Sequence, residues 1–382
     1  MNAEGGPAGL TVAVTGPTGT FGFGLMPLLQ ADDRIARVVG IARRPFDPAA
    51  HGWTKMEYHR GDVRDPGTLR DAFEQADVVV HLAFSITGTA SRETIRAINV
   101  EGTLNAFRAA AAAGARRFVY ASSVAAYGFH PDNPIGMTEE WPVRPAARLF
   151  YAQQKAEIEH LLQAEAAALS SGLTAPTGPT DPTTTTDPTT IDTTSPTSPI
   201  SPTDPTDTTG PTDTTGPELY LLRPSIVLGP HTAGAKDLLA GPLTWLVRHR
   251  GVGRLPMLIP VLPLQFVHEE DVGRALLQCV VAAGPPGAYN IAADDIVTST
   301  DVARELGLFP LSVPGTPAQA AARVIAAMPF LLPVAEWVEA VSHPAIMDIT
   351  RARRELGWEP RFTAIEALRD TLHALDPAPA HP

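Results

Sequence analysis

At 382 residues the chain has room for two domains, or for one large α/β unit with an appended part. Its 44% hydrophobic and 18% charged residues suit a globular protein with a sizeable core. A formal net charge of -12 with no basic stripe argues against a nucleic-acid partner, and the single cysteine, Cys279, excludes an internal disulfide or a cysteine metal cluster. Residues 1–9 lack the basic start and apolar core of a signal peptide. No run approaches the ~20 apolar residues of a membrane span. A cytoplasmic protein with no membrane partner is expected.

The apolar run Leu10-Thr11-Val12-Ala13-Val14 fits a buried strand. It runs into Thr15-Gly16-Pro17-Thr18-Gly19-Thr20-Phe21-Gly22 and then a helical pattern over residues 23–30. Strand, glycine turn and helix in that order form a setting for a dinucleotide pyrophosphate. Gly16 permits the turn, Gly19 lets the backbone approach, Gly22 allows close packing, and the helix N-terminus faces the phosphates. The alternative is a glycine-rich turn without a ligand, since the first glycine gap here is three residues and the commoner one is two. A second strand at residues 37–42 ends in Ala42 and Arg43, where an NAD site would carry an acid for the ribose 2′-hydroxyl. Arg43 suits the 2′-phosphate of NADP, or is one of two solvated loop charges with Arg44.

A third strand is expected at residues 56–59, followed by Gly61-Asp62-Val63. Asp62 accepts from an adenine amino group or caps the helix that begins near Pro66. The fourth strand and its exit are Asp77-Val78-Val79-Val80-His81-Leu82-Ala83, with His81 read as structural. The alanine-rich helix at residues 92–113 contains Asn99, an unfavourable choice there unless the amide bridges polar groups or positions water. Arg117-Phe118-Val119-Tyr120-Ala121 is the fifth strand and delivers Ser122-Ser123 at its C-terminal end, where open parallel sheets bind ligands. Ser123 is placed to hydrogen-bond a substrate oxygen. Tyr151 and Lys155 then share one face of a helix, one turn apart. If the helix lies beside a bound cofactor, the lysine charge is expected to lower the tyrosine pKa from its ordinary ~10 and fit it for acid/base work.

The chain resembles the extended short-chain dehydrogenase/reductases, also described as the NAD-dependent epimerase/dehydratase family. The matching pieces are Thr15-Gly16-x-x-Gly19-x-x-Gly22, Gly61-Asp62, His81-Leu82-Ala83, Asn99-Val100-x-Gly102-Thr103, Ser122-Ser123 with Tyr127-Gly128, and Tyr151-x-x-x-Lys155. Leu222-Arg223-Pro224-Ser225-Ile226 and Phe266-Val267-His268-Glu269-Glu270-Asp271-Val272 extend the match. The resemblance implies an α/β fold, a Rossmann-type doubly wound parallel sheet with a smaller, mostly C-terminal substrate-binding part. It implies cofactor contacts from Gly16, Thr18, Gly19, Thr20, Phe21, Gly22, Arg43, Asp62, Val63, Leu82, Ala83, Tyr151, Lys155 and Pro224. It also implies a catalytic set of Ser123, Tyr151, Lys155 and, through a water-linked proton path, Asn99. No metal site is expected.

Residues 1–171 read as the first part of the dinucleotide-binding domain. Residues 172–217 are a Thr/Pro/Asp-rich insertion with too few large apolar side chains to pack, expected as a disordered or extended surface loop. Residues 218–230 and 265–293 return to the core, and 231–264 and 294–382 build the substrate part. Asp271 is expected to cap a helix at residues 272–283, and Thr298-Ser299-Thr300-Asp301 to start another. The apolar stretch 318–341, broken by Pro329 and Pro333, fits a lid, a homodimer contact or plain core. The expected function is NADP(H)-dependent, or alternatively NAD-dependent, hydride transfer at a hydroxyl or carbonyl carbon of a small or fairly apolar substrate. A sugar-nucleotide epimerase or dehydratase using NAD is the alternative, and a non-catalytic cofactor-sensing regulator the second. Against a dehydratase, Val124-Ala125 stands where those enzymes tend to carry an Asp-Glu pair.

Overall fold

Strand β1, Leu10–Thr15, is buried from Val12 onward and pairs in parallel with β2 (Ile35–Ala42) on one side and β4 (Val78–His81) on the other. The computed structural model describes residues 9–86, 90–171, 216–232, 256–313 and 343–375. With β3 (Met56–Arg60), β5 (Arg117–Ala121), β6 (Glu218–Pro224) and β11 (Gly287–Ile291) these strands form one seven-stranded sheet. Its order is β3-β2-β1-β4-β5-β6-β11 and every pair is parallel. Such a sheet is covered on both faces, which explains why the strands read as continuous apolar runs rather than alternating ones. This is the expected Rossmann-type fold. The strand order reverses between β1 and β4, the place where ligands bind in open α/β sheets.

Helices α1 (Thr20–Ala31) and α6 (Glu269–Val280) cover one face, packing Leu25, Leu29, Val272 and Leu276 against Val12, Val14 and Val80. Helices α2 (Pro66–Phe73), α4 (Gly102–Ala112) and α5 (Phe150–Ser170) cover the other, with Phe107, Ile158 and Leu162 on Ala13, Val79 and Phe118. Between α6 and α1 the backbones nearly touch: a Cβ added at Gly273 would lie 2.1 Å from the Gly24 carbonyl oxygen. Gly273→Ala is therefore expected to cost about 3 kcal/mol, read as a fall in the unfolding midpoint, because backbone and not a flexible side chain must move.

Short strands β7 (Ile226–Leu228) and β10 (Phe266–His268) pair beyond the end of β6. Strands β8 (Pro256–Pro260), β9 (Pro263–Leu264), β12 (Val297–Thr298) and β13 (Phe309–Val313) form two further pairs. Helices α7 (Ser299–Glu305), α8 (Thr350–Leu356) and α9 (Ala364–Leu375) complete this C-terminal part. Thr298 and Asp301 form a capping box at α7.

Three local expectations are corrected. The helix at 92–113 is broken: α3 (Arg92–Arg96) passes through a π turn at Ala97–Glu101 before α4 begins. Asp62 does not cap α2. Asp65 does, accepting from the Gly67 amide, with Pro66 fitting the first helical position. Helix α6 starts three residues before 272 and is capped by His268, which accepts from the Glu270 amide. The Asp271 carboxylate instead accepts from the Arg361 and Phe362 amides and pairs with Arg274. Most of the 174–217 insertion, residues 233–255 of the expected pocket wall and the 318–341 stretch lie outside the described residues.

Candidate active site

The turn after β1 folds against the exit of β4. Gly16 has φ +72°, and a Cβ there would meet the Ala83 amide nitrogen at 2.9 Å, so only glycine lets these two strand ends close together. Gly19, the residue before α1, is open: an added Cβ would meet nothing nearer than the Gly16 carbonyl oxygen at 3.5 Å. No side chain caps α1. Gly22 is buried under the turn and Thr18 and Phe21 are half-buried beside it. Thr20 donates to the His231 carbonyl at 2.9 Å. An uncapped helix start behind an open glycine turn fits a pyrophosphate.

Arg43 lies exposed at the end of β2, its carbonyl accepting from Arg60 Nε at 3.0 Å. The Asp62 carboxylate accepts the Arg64 amide at 3.0 Å and its guanidinium at 3.1 and 2.7 Å. The Arg64 hydrogen bonds hold the Asp62 pKa below the ordinary carboxylate value. Asp62 therefore shares its acceptors with a guanidinium. Val63 points into the core against Gly102, so only its backbone is left for a ligand. Leu82 and Ala83 are half-buried at the β4 exit, and Pro224 ends β6 fully in the sheet.

Ser123 and Tyr151 come together. Tyr151 packs against Ala125, two residues after Ser123, the Ser123 side chain acts to lower the Tyr151 pKa, and the Ser123 hydroxyl accepts the Ala125 amide at 3.2 Å. Lys155, one turn along α5 and 3% exposed, donates to the Ala121 carbonyl at 2.7 Å and to the Tyr120 hydroxyl at 3.3 Å. Its Nζ lies 3.7 Å from the centroid of the Phe84 ring, 4.8 Å from Tyr120 and 5.8 Å from Tyr151. Phe84 in turn meets Tyr151 edge-on at 5.5 Å. Burial pushes the Lys155 pKa down to about 7, while the Glu159 charge opposes that fall.

In the protein by itself, burial outweighs any help that Tyr151 receives toward ionisation. Burial raises the Tyr151 pKa above its ordinary value, and the Ser123 side chain works against it. The lysine donors are spent on Ala121 and Tyr120, and its own charge is weakened by desolvation.

Asn99 sits in the π turn, fully buried. Its Nδ2 donates to Gln154 at 2.8 Å and to the Ser85 carbonyl at 3.0 Å, and its Oδ1 accepts the Ser85 amide at 2.7 Å. Three of its four hydrogen-bonding places are thus used to strap the β4 exit to α5, leaving one acceptor site for a water path. His81 bridges the Thr15 hydroxyl at 2.9 Å and the Thr103 hydroxyl at 3.0 Å. Burial, then the Lys155 charge, push its pKa down to about 3, so the ring is a neutral strut.

The sequence motifs leave two features unmarked. Phe84 covers Lys155 and Tyr151, yet an apolar residue after a buried strand reads as core. Glu159, eight residues after Tyr151 on the same helical face, accepts from the Ser122 hydroxyl and from the Nε–Nη2 edge of the Arg223 guanidinium. Its helical spacing from Tyr151 and Lys155 is a signal that the sequence contains.

Residues 12–185 match the family model described as NAD dependent epimerase/dehydratase family. An uncharacterised protein of Mycobacterium tuberculosis is 26% identical over 94% of this chain and 82% of its own length. Sterol demethylase protein B of Methylococcus capsulatus is 35% identical over 40% of this chain and 45% of its own. Among solved structures, MoeE5 in complex with UDP-glucuronic acid and NAD is similar in fold, with a TM-score of 0.62, 21% identity and coverage of 95% of this chain and 98% of MoeE5. The parallel sheet is that of a Rossmann-type fold, and residues 12–185, a little under half of the chain, are similar to the NAD dependent epimerase/dehydratase family.

Proposed function

We propose that the chain is an NAD(P)-dependent enzyme that removes hydride from, or restores it to, a substrate carbon bearing oxygen. The observation that carries this reading is the placement of Tyr151 against the turn that follows Ser123, with Lys155 one turn beyond, beside an open glycine turn. A bound nicotinamide dinucleotide supplies the two-electron step, accepting hydride from carbon or returning it. Gly16, Gly19 and the start of α1 hold its pyrophosphate, and Leu82, Ala83, Lys155 and Pro224 border its nicotinamide half. Ser123 Oγ holds the substrate oxygen. Tyr151 Oη takes the substrate hydroxyl proton in the oxidative direction and gives it back in the reductive one. A phenol held protonated by burial is ready for the second role.

The likeness to MoeE5, solved with UDP-glucuronic acid, supports a nucleotide sugar as substrate, and the description of the matching family supports epimerisation among its reactions. Water elimination needs a further acid/base beside the carbon next to the oxidised one, and the residues after Ser123 are Val124 and Ala125, 5% and 3% exposed. One observation favours a second reading, net oxidation or reduction of an apolar substrate. The cleft at Val124 is walled by Phe129, Ile226, Leu264 and Ile346. Gln265, a polar residue of that wall, spends its amide on the Met347 backbone at 3.1 and 2.9 Å.

The two readings separate on purified protein. An epimerase retains its cofactor, interconverts UDP-sugars and leaves no net absorbance change at 340 nm. A dehydrogenase exchanges cofactor and changes that absorbance with apolar alcohols or ketones. Cofactor binding with neither outcome would point to a regulator. Arg43 decides cofactor choice: Arg43→Ala is expected to weaken NADPH binding about tenfold and leave NADH binding unchanged. Equal effects on both would remove the 2′-phosphate role.

A further inference from the structure

We propose that Glu159 is a positioning residue of the site, the buried carboxylate that keeps Lys155 protonated in a pocket that favours its neutral form. This rests on the reading of Lys155 given above. Glu159 and Lys155 are 2% and 3% exposed and stand one helical turn apart on α5. Among the described residues Lys155 has no ion pair of its own. Its ammonium donates to the uncharged Ala121 and Tyr120 oxygens of β5 and faces the Phe84 ring from the β4 exit. Tyr151, on its own helix, is protonated, because burial raises its pKa. His81, from β4, is neutral and contributes no compensating charge.

A buried ammonium held only by neutral groups loses its proton readily, because desolvation penalises the charged form. Glu159 supplies the opposing negative charge through space. Its ion pair with Arg223 of β6 weakens that influence without cancelling it, and the Glu159 charge still acts to raise the Lys155 pKa. The same carboxylate holds the Ser122 hydroxyl, so it also fixes the strand end that carries Ser123. Arg223 continues the network to Tyr127, and Tyr127 to Asn290 of β11, at 2.7 and 2.8 Å. This leaves the carboxylate little freedom to turn away.

The test reads Lys155 directly and needs neither cofactor nor substrate. The sequence holds three lysines, Lys55, Lys155 and Lys236, so lysine labelled with ¹³C at Cε gives three resonances, with Lys155→Met assigning the one of interest. In Glu159→Gln the Lys155 titration midpoint is expected to fall by about one pH unit, since the carboxylate is gone and the Arg223 cation is left unpaired. Glu159→Asp keeps the charge and should hold the midpoint near the parent value. If Glu159→Gln does not fold, Glu159→Gln with Arg223→Met removes both members of the buried Glu159–Arg223 pair, strands no guanidinium, and is expected to fold. Its midpoint should fall as well, by less. A midpoint that stays put, or rises toward that of a solvated lysine as loosened packing would cause, overturns the proposal. That result would leave the role of Tyr151 untouched, because Tyr151→Phe tests it separately.

Discussion

Tyr151→Phe is expected to lower turnover by about 10³-fold while cofactor affinity stays within about twofold of the parent. The substitution removes one hydroxyl and keeps the ring that packs against Phe84, so the fold has no reason to change. The lost group is the one that the substrate proton must reach. The effect should appear in kcat, because the hydroxyl acts on the reacting oxygen as its charge changes, and much less in KM. Steady-state kinetics with a fluorescence titration of reduced cofactor separates the two. Undiminished turnover would remove Tyr151 from the chemistry.

Lys155→Met should abolish the pH dependence that the lysine imposes on the stability of the protein. The folded-state pKa of Lys155 is about 7 against an ordinary 10.5, and burial is the main cause. The unfolded chain therefore binds more protons between those values, and stability rises with pH across that window. The contribution of Lys155 is fully present above 10.5 and lost as pH falls through about 7. Each pKa unit corresponds to about 1.4 kcal/mol. Lys155→Met is thus expected to be several kcal/mol more stable than the parent at pH 6, with the gap closing toward pH 10. Urea unfolding at a series of pH values measures it. The same variant should lose turnover by about 10²-fold, so the residue costs stability where it serves the reaction. A pH-independent difference in stability would mean that Lys155 is not held near pH 7.

The sheet was legible because its strands, buried on both faces, read as unbroken apolar runs, and because the glycine turn falls between a strand and a helix. The meeting of Ser123 with Tyr151 was legible for the same reason: one ends a strand and the other starts the next helix. Charge states were not. Whether Lys155 lowers the Tyr151 pKa depends on where its three donors go, and Ala121 and Tyr120 lie across the fold from it. Asn99 was marked as unusual in its helix, but its partners Ser85 and Gln154 and the π turn around it are tertiary facts. Two caps were misread although their signals were present. Pro66 at the first helical position makes Asp65 the cap of α2, and His268 directly precedes an acidic first turn in α6.

The central claim is that Tyr151 becomes the acid/base of this site when the cofactor binds. An ultraviolet difference titration of the protein saturated with oxidised nicotinamide dinucleotide tests it without a substrate. Burial raises the other five tyrosines, Tyr58, Tyr120, Tyr127, Tyr220 and Tyr289, above their ordinary pKa, so a tyrosine that ionises early stands clear of them. The account predicts one tyrosine ionising below pH ~10 in the cofactor-bound parent, absent from the free protein and from cofactor-bound Tyr151→Phe. Identical titrations of parent and Tyr151→Phe in the presence of cofactor would contradict it.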